Sequence, residues 1–448
     1  MNSLPELAAD IVKQALAAGA TDAECTISDG EEFSANVRLR EVESIKDAGS
    51  RGAGLHILIG KRTGSAYTSD LSPDGIRHLV RSAIELGGIT TEDPFLGLPE
   101  PSELGQIPGD LGLYCADVAQ LEAAQRIDMA RRAEEGALSA DPRIVNSEGG
   151  SYDSHLARNV FANSRGFAGE YRTSYCSVSA VPVAREGESM ERDYWDSSAR
   201  SVAKLENPDD VGRTAAQRAL RRLGPVKVET QKVPVILEPR TARSLLGNIF
   251  EAVHGVTVYR QESFLAGKLG EKVASEKLTV IDDGTMPGLF GTSPFDDEGV
   301  PTRRTVVIEK GVLKSYLLNV YTARKLNLKT TGNASRGLTG NAGVGHGNFY
   351  IEKGGAAPER IIAGIPNGFY VTELMGFGVN IVTGDYSRGA AGIWIRNGEL
   401  AFPVSEVTIA GNLGHMLMNL ETIGSDLEFR GSTAAPTLLI SEMTVGGR

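Results

Sequence analysis

The chain has 448 residues, a length that predicts two or three domains. Hydrophobic residues make up 41% and charged residues 23%, as in an ordinary globular protein. Its formal net charge of −11 disfavours direct contact with the phosphate backbone of nucleic acid. No run approaches the roughly 20 apolar residues that cross a bilayer, and the first residues lack a signal-peptide pattern. We therefore predict a cytoplasmic protein with neither a nucleic-acid nor a membrane partner.

Helices and strands alternate in the first half of the chain. Ser3 and Glu6 form a capping box, and Ser72-Pro73 and Asn207-Pro208 are further helix starts. Residues 91–112 contain several prolines and glycines and are predicted to form a long surface connection. The predicted helices begin near residues 4, 73, 118 and 207, and the predicted strands lie at 33–39, 54–69 and 145–182.

The second half of the chain has a different texture. Gly224-Pro225 is the predicted boundary between domains 1–225 and 226–448. Beyond it, short strands are interrupted by many of the chain's 53 glycines, which favours bends and bulges. We therefore predict an α+β fold in two lobes: an N-terminal domain of helices and an antiparallel sheet, and a glycine-rich, mostly antiparallel β domain.

The most informative helix follows the predicted strand Val233–Leu237. Its apolar residues recur at helical spacing and predict one buried stripe: Ala242, Leu245, Leu246, Ile249, Phe250 and Val253. Glu251 projects from the opposite side of this helix, and His254 projects from its flank.

The order of strand, amphipathic helix and the sequence F-E-A-V-H-G resembles the TldD/PmbA metalloprotease family, whose TldD branch carries His-Glu-x-x-x-His here. The closing PTLLISEM is similar to the PmbA branch. Other segments resemble the family in the same order: KLGEKVASEKLTVIDDGTMPGLFG, PFDDEGVPTRRTVVIEKGVLKSYLLN, TTGNASRG, GFYVTELMGFGVNIVTGDYSRGAAGIWIRNGEL and FPVSEVTIAGNL. The resemblance implies a zinc site of two histidines and a later cysteine, with the glutamate as general base.

This sequence departs from that zinc pattern. Phe250 stands where the family has its first histidine, and Gly255, the neighbour of His254, stands where it has the second. Glu251 matches the glutamate, but no cysteine follows Cys176. We therefore predict no metal in this chain and Zn²⁺ in a TldD-like partner. Glu251 and His254 are catalytic candidates, set against our preferred interpretation that they are solvated or hydrogen-bonded helix residues.

Two segments share the pattern T-G-[ND]-x-S-R-G: residues 331–337, here called the TGN segment, and residues 383–389, here called the TGD segment. Both could be simple turns at strand ends. Alternatively, Arg336 and Arg388 could bind the carboxylates or carbonyls of a peptide, and both should then face one groove.

Five acidic residues cluster further along the chain: Asp282, Asp283, Asp296, Asp297 and Glu298. Oxygen ligands could bind a hard cation, but the spacing is not that of an EF-hand. We predict turns and solvated surface instead. His56, within a strand pattern, is predicted to be a satisfied side chain rather than a metal ligand.

The resemblance implies a cytosolic two-subunit metalloprotease that acts on unfolded proteins or peptides and is linked to peptide-antibiotic maturation and gyrase modulation. In that setting this chain would be a non-catalytic, substrate-binding subunit beside a TldD-like partner. Two alternatives stay open. The chain could be a self-standing homodimer that binds peptides or regulates, or an active metallopeptidase that uses an unrecognised site.

Overall fold

A computed structural model describes residues 3–447 of the chain. The helices are α1 (Leu4–Ala17), α2 (Pro73–Ile89), α3 (Asp117–Gln120), α4 (Ala123–Leu138), α5 (Pro208–Leu220), α6 (Pro239–Val253), α7 (Gly255–Tyr259), α8 (Val320–Leu326), α9 (Pro358–Ala363) and α10 (Leu413–Met418). One 3-10 turn covers Val202–Lys204.

The strands of the first half are β1 (Asp22–Arg38), β2 (Glu41–Ile59), β3 (Arg62–Thr68), β4 (Ile144–Asn163), β5 (Ala168–Glu186), β6 (Ser189–Arg192) and β7 (Trp195–Ala199). Those of the second half are β8 (Gln231–Leu237), β9 (Val280–Asp283), β10 (Arg304–Glu309), β11 (Val312–Leu313), β12 (Ala334–Ser335), β13 (Gly343–Val344), β14 (Asn348–Ile351), β15 (Asn367–Met375), β16 (Asp385–Arg396), β17 (Glu399–Asn412), β18 (Leu420–Ile423), β19 (Thr433–Ala434) and β20 (Leu438–Gly446).

The N-terminal lobe is one antiparallel sheet covered by helices on one face. Its strands run in the order β3-β2-β1-β4-β5-β6, with β7 paired to β5. Because side chains alternate along a strand, Ala23, Cys25 and Ile27 of β1 share one face, where α1 and α2 bury them. Further along the sheet, α4 and α5 pack over β4 and β5. The predicted capping box of Ser3 and Glu6 begins α1.

The C-terminal lobe is built around a small closed barrel. β17, β16, β15, β8 and β20 follow one another, and β17 also pairs with β20, so the barrel has no open edge along these pairings. The pairings are antiparallel except for β15 with β8. A second sheet has the order β11-β10-β9-β14-β19, and its one parallel pairing joins β14 and β19.

Helix α6 lies in the largest hydrophobic core, which also contains strands of the barrel and of the second sheet. The predicted stripe is buried at Ala242, Leu245, Ile249 and the other members, except that Phe250 is only partly buried. This burial fixes α6 between the two sheets and sets the direction of every side chain on it.

The prediction of an α+β fold in two lobes is confirmed. The strands up to β7 share one sheet, and those from β8 onward form the other sheets. We propose that the domain boundary lies at Gly224-Pro225, between α5 and β8. Residues 91–112 form the predicted irregular connection and reach the C-terminal lobe, because the amide of Ile107 donates to the carbonyl of Pro294 at 2.9 Å.

Candidate functional site

The C-terminal end of α6 carries the residues that resemble the zinc motif. α6 ends at Val253, and His254 links it directly to α7 as the cap of that short helix. The backbone amide of Val256 donates to Nδ1 of His254 at 3.2 Å, so the ring proton lies on Nε2, which donates to the carbonyl of Val344 at 3.2 Å. Both ring nitrogens of His254 are therefore engaged within the protein.

Burial lowers the pKa of His254 below its usual range, against the opposing charge of Glu251. The imidazole is therefore neutral near pH 7. A neutral, doubly hydrogen-bonded histidine at a helix junction stabilises the turn between α6 and α7.

Phe250, which the resemblance sets at the first histidine of the zinc motif, lies in a small aromatic cluster. Its ring centroid lies 4.9 Å from that of His346, 5.5 Å from that of His254 and 5.9 Å from that of Phe349. The three contacts are edge-to-face, the geometry in which aromatic rings attract each other. Phe250 thus contributes an aromatic ring, which offers no metal-binding atom, at this position.

Gly255, which the resemblance sets at the second histidine of the zinc motif, has no room for a side chain. A Cβ atom on Gly255 would lie 2.5 Å from Oγ1 of Thr322 and 2.9 Å from Cδ2 of Leu318. α8, which carries Thr322, packs directly against α7 at this point. A histidine ligand at this position would require α8 to move.

Glu251 projects into solvent, while its backbone carbonyl accepts a hydrogen bond from the hydroxyl of Thr257 at 2.6 Å. Within residues 3–447, no three histidine, cysteine, aspartate or glutamate side chains converge as metal ligands do. The residues at this site therefore do not fit zinc. Whether Glu251 or His254 has a catalytic role stays a prediction.

The acidic cluster is not solvated surface, and that expectation is wrong. Asp282, Asp283, Asp296 and Glu298 are buried. Asp296 accepts from the backbone amides of Glu298, Val300 and Ala334 at 2.9–3.0 Å. The prediction that these acids lie in turns agrees with the bonds from nearby backbone amides to Asp296, but the turns lie inside the protein.

Burial raises the pKa of Asp282 and of Asp296 to about 7. Asp282 accepts from the side-chain amide of Asn333 and from the backbone amide of Gly347, both at 2.7 Å. These hydrogen bonds oppose the effect of burial without cancelling it. The cluster is therefore a hydrogen-bonded core feature, and two of its carboxyl groups, those of Asp282 and Asp296, titrate near neutrality.

Arg336 joins the two lobes. Its guanidinium pairs with Glu24 of β1 and donates to the backbone carbonyl of Asp297 at 3.1 Å. The side chains of Arg336 and Glu24 are only 4% and 2% exposed. Nδ1 of His56, directly opposite Glu24 on β2, lies 2.9 Å from the same carboxylate.

Glu24 is a residue that the sequence reasoning missed. It lies on the sheet face opposite α1 and α2, where its neighbours on β1 are polar. The signal was a glutamate directly flanked by buried Ala23 and Cys25 in a strand, but nothing nearby in sequence indicates its partner, which lies 312 residues away.

Arg388 lies elsewhere, at the start of β16. Its Nε donates to the carbonyl of Met375 at 3.1 Å, and its Nη1 donates to Oγ of Ser244 on α6 at 3.2 Å. The contact partners of Arg336 and Arg388 do not overlap. Arg336 is buried between the lobes and Arg388 is half-buried beside α6; a shared groove, like peptide binding by either arginine, stays a prediction.

These features define the class of the protein. Strand β8, helix α6 and the sequence F-E-A-V-H-G at the end of α6 form a scaffold related to metallopeptidases. Models of PmbA/TldA metallopeptidase domains match it in three stretches, domain 1 at residues 23–87, the central domain at 116–223 and the C-terminal domain at 230–447. The chain belongs to the PmbA/TldD family, and the resemblance seen in the sequence is confirmed.

The chain is 39% identical to "Metalloprotease PmbA" of Escherichia coli O157:H7, covering 97% of this chain and 94% of that protein. A Bacteroides thetaiotaomicron protein, described as a candidate modulator of DNA gyrase, superposes with a TM-score of 0.92 at 30% identity over 99% of this chain and 98% of its own. TldE of Thermococcus kodakarensis shares the fold, with a TM-score of 0.87 at 22% identity, covering 98% of this chain and all of that one.

Across the described part of the chain, no helix is both long and apolar enough to span a membrane.

Proposed function

We propose that this chain is the non-catalytic, substrate-binding subunit of a cytoplasmic zinc metalloprotease complex in which a TldD-like partner supplies the metal. The observation that carries this proposal is the closed space at Gly255, where α8 fills the volume that a ligand would need. Phe250 and the absence of cysteine beyond Cys176 in the sequence support it. Zinc hydrolases hold their metal with three protein ligands and one open position, which these residues do not provide.

The outer end of β15 supports a substrate-binding role. β8 pairs with β15 only along Phe369–Val371, so no described strand covers that edge at residues 373–375, which are partly or fully exposed, whereas Thr372 is buried. An exposed strand edge binds the backbone of an extended peptide with little dependence on its sequence. Unfolded proteins and peptides are therefore the proposed substrates, including peptides whose processing modulates DNA gyrase.

Activity measurements with the separate and combined subunits test the proposal. The purified chain should contain no stoichiometric zinc and should not cleave an unstructured peptide, whereas addition of a TldD-like relative should produce chelator-sensitive cleavage exceeding that of the relative alone. Near-unit zinc by elemental analysis, with cleavage by this chain alone, would overturn the proposal.

The variant Glu251→Ala separates a supporting subunit from a catalytic one. In the combined complex it should leave the rate within about twofold, because the working glutamate belongs to the partner. Removal of a true general base lowers the rate by about 10²–10⁴-fold. The matched control is alanine at the corresponding glutamate of the partner, which should abolish cleavage.

A further inference from the structure

A cavity of about 380 Å³ lies where the N-terminal lobe meets the first turn of α6 and the outer end of β15. The residues that matter for its chemistry are Asp193, Arg240, Ser244, Thr372, Glu373 and Arg388. It adjoins the uncovered edge of β15 and is distinct from the end of α6 that resembles the zinc motif.

Arg388 enters this cavity with unused hydrogen-bonding capacity. The bonds to Met375 and Ser244 engage two of its five N–H donors and hold the guanidinium in place. Within residues 3–447, no carboxylate lies within 4.0 Å of Arg388, and its side chain is only partly exposed. A half-buried guanidinium without an acidic partner binds a carboxylate strongly, because its parallel N–H groups match the two carboxylate oxygens.

Arg240 adds a second guanidinium from the first turn of α6. It stacks at 3.6 Å on the ring of Tyr194 and donates to the carbonyl of that residue at 3.0 Å. Burial lowers the pKa of Arg240 to about 10, and the nearby cations Arg243 and Arg430 act in the same direction against the charge of Asp193. Within residues 3–447, the one carboxylate within 4.0 Å of Arg240 is that of Asp193, at 3.6 Å.

Among the described residues, two carboxylates line the cavity. Asp193 is shared by three arginines, since its oxygens lie 3.3 Å from Arg218, 3.6 Å from Arg240 and 4.0 Å from Arg222. Glu373, the other carboxylate of the cavity, is already paired with Arg222. The cavity as a whole is therefore short of negative charge, which a ligand carboxylate would supply.

The geometry of β15 indicates which carboxylate fits. A peptide that pairs with residues 373–375 meets β8 at Val371, because β8 already occupies the edge from there inward. The peptide must therefore end at the cavity. A strand advances about 3.3 Å per residue, so the few positions beyond Val371 hold only a short terminal stretch, and the carbonyl of Met375 among them already accepts from Arg388.

We propose that this cavity binds the C-terminal carboxylate of a peptide lying along the edge of β15, through Arg388, Arg240 and the hydroxyl of Ser244. The inference rests on the proposed peptide-binding function and adds that the substrate is held by its carboxyl end.

Binding of two matched peptide mixtures to the full-length chain tests the inference. Both are degenerate, unstructured and labelled at the amino end; one has free carboxyl termini and the other has C-terminal amides. Because a hydrogen bond to a charged group is worth a factor of ten or more, amidation should weaken binding about tenfold or more by fluorescence anisotropy. Amidated peptides containing glutamate should bind like other amides, which excludes side-chain carboxylates as the ligand.

The variant Arg388→Gln should reduce binding of the free-carboxyl mixture to the amide level and leave the amide mixture unchanged. Arg396→Gln, an exposed arginine on the same strand, is the matched control and should change neither. Equal binding of the two mixtures to the unmodified chain would overturn the carboxylate site while leaving the proposed function intact. If neither mixture binds, the carboxylate site and the proposed peptide-binding function are both overturned. These two outcomes are measured on the unmodified chain, so they do not depend on the folding of a variant.

Discussion

The TGN and TGD segments have the same local structure but opposite surroundings. Gly332 and Gly384 adopt φ angles of 73° and 79°. In the TGN segment the hydroxyl of Thr331 donates to the side chain of Asn333 at 2.6 Å, and in the TGD segment the corresponding threonine donates to Asp385 at 2.7 Å. Each segment leads into a strand, β12 or β16, as the expectation of turns at strand ends requires.

The arginines of the two segments differ because different elements pack on them. Arg336 is enclosed by the N-terminal lobe and paired with Glu24, whereas Arg388 faces a cavity and has no carboxylate within 4.0 Å among the described residues. One seven-residue pattern thus produces an internal tie between the lobes in one place and an available guanidinium in the other. The local motif sets the backbone position of the arginine, and the elements packed around it determine which groups its side chain contacts.

The largest expected difference between the two segments is in stability. Arg336→Ala leaves the carboxylate of Glu24 buried without its cation, which costs about 3–5 kcal/mol of unfolding free energy. Arg388→Ala removes a partly exposed side chain with no ion pair and should cost at most about 1 kcal/mol. Urea denaturation of both variants measures the contrast.

A second variant identifies the cause of that loss. The double change Glu24→Gln with Arg336→Met removes both charges together and should recover much of the stability lost in Arg336→Ala. Similar losses in Arg336→Ala and Arg388→Ala would contradict the assignment of Arg336 as a buried tie between the lobes.

A pH dependence should also distinguish the two surroundings. The side chain of Asn333, in the TGN segment, donates to Asp282, whose pKa burial raises to about 7. An aspartate in an unfolded chain has a pKa near 4. The contribution of Asp282 to the unfolding free energy is therefore fully present below about pH 4, where the carboxyl is protonated in both states, and it is lost as the pH rises to about 7. Because one pKa unit corresponds to about 1.4 kcal/mol, we expect a fall on the order of 3 kcal/mol over this range.

Asp296 titrates in the same direction, while the pKa of Glu24 is lowered to about 2, so its contribution is lost only in acid. The variant Asp282→Asn should reduce the slope between pH 4 and 7 and leave the part that comes from Asp296, whereas Asp385→Asn, at the exposed position in the TGD segment, should leave the slope unchanged. A slope in Asp282→Asn as steep as that of the unmodified chain would exclude Asp282 as a source.

Local patterns were sufficient to predict much of this fold. The capping box of Ser3 and Glu6, the apolar stripe of α6 and the change to glycine-rich strands after Gly224 depend on neighbours in sequence, and the structure contains each of them. Phe250 is the one member of the stripe left partly buried, because it turns toward His346 at the end of the helix.

The rest depends on contacts between residues far apart in the chain. The sequence pattern of the acidic cluster predicts polar turns. Its burial depends on the packing of β9, β14 and the TGN segment around Asp282. Similarly, the obstruction at Gly255 comes from Thr322 on α8, 67 residues later, which no local pattern reveals.

The smallest expected effects concern the glycines of the two segments. Alanine at either position must adopt a positive φ, a strain of about 1–2 kcal/mol. At Gly332 the new Cβ would also lie 2.7 Å from the backbone carbonyl oxygen of Pro301, whereas at Gly384 the nearest atom, at 3.0 Å, belongs to the flexible side chain of Asn412. A backbone oxygen yields less readily than a side-chain amide.

We therefore expect Gly332→Ala to lower the unfolding free energy by about 3 kcal/mol and Gly384→Ala by about 1 kcal/mol, measured by urea denaturation. Gly337→Ala is the matched control within the TGN segment, because its Cβ would meet nothing within 4 Å and its φ is not positive; it should change stability little. If Gly384→Ala costs as much as Gly332→Ala, positive φ alone sets the cost. The two turns would then differ only in what their arginines contact, and the tighter enclosure of the TGN backbone would have no energetic consequence.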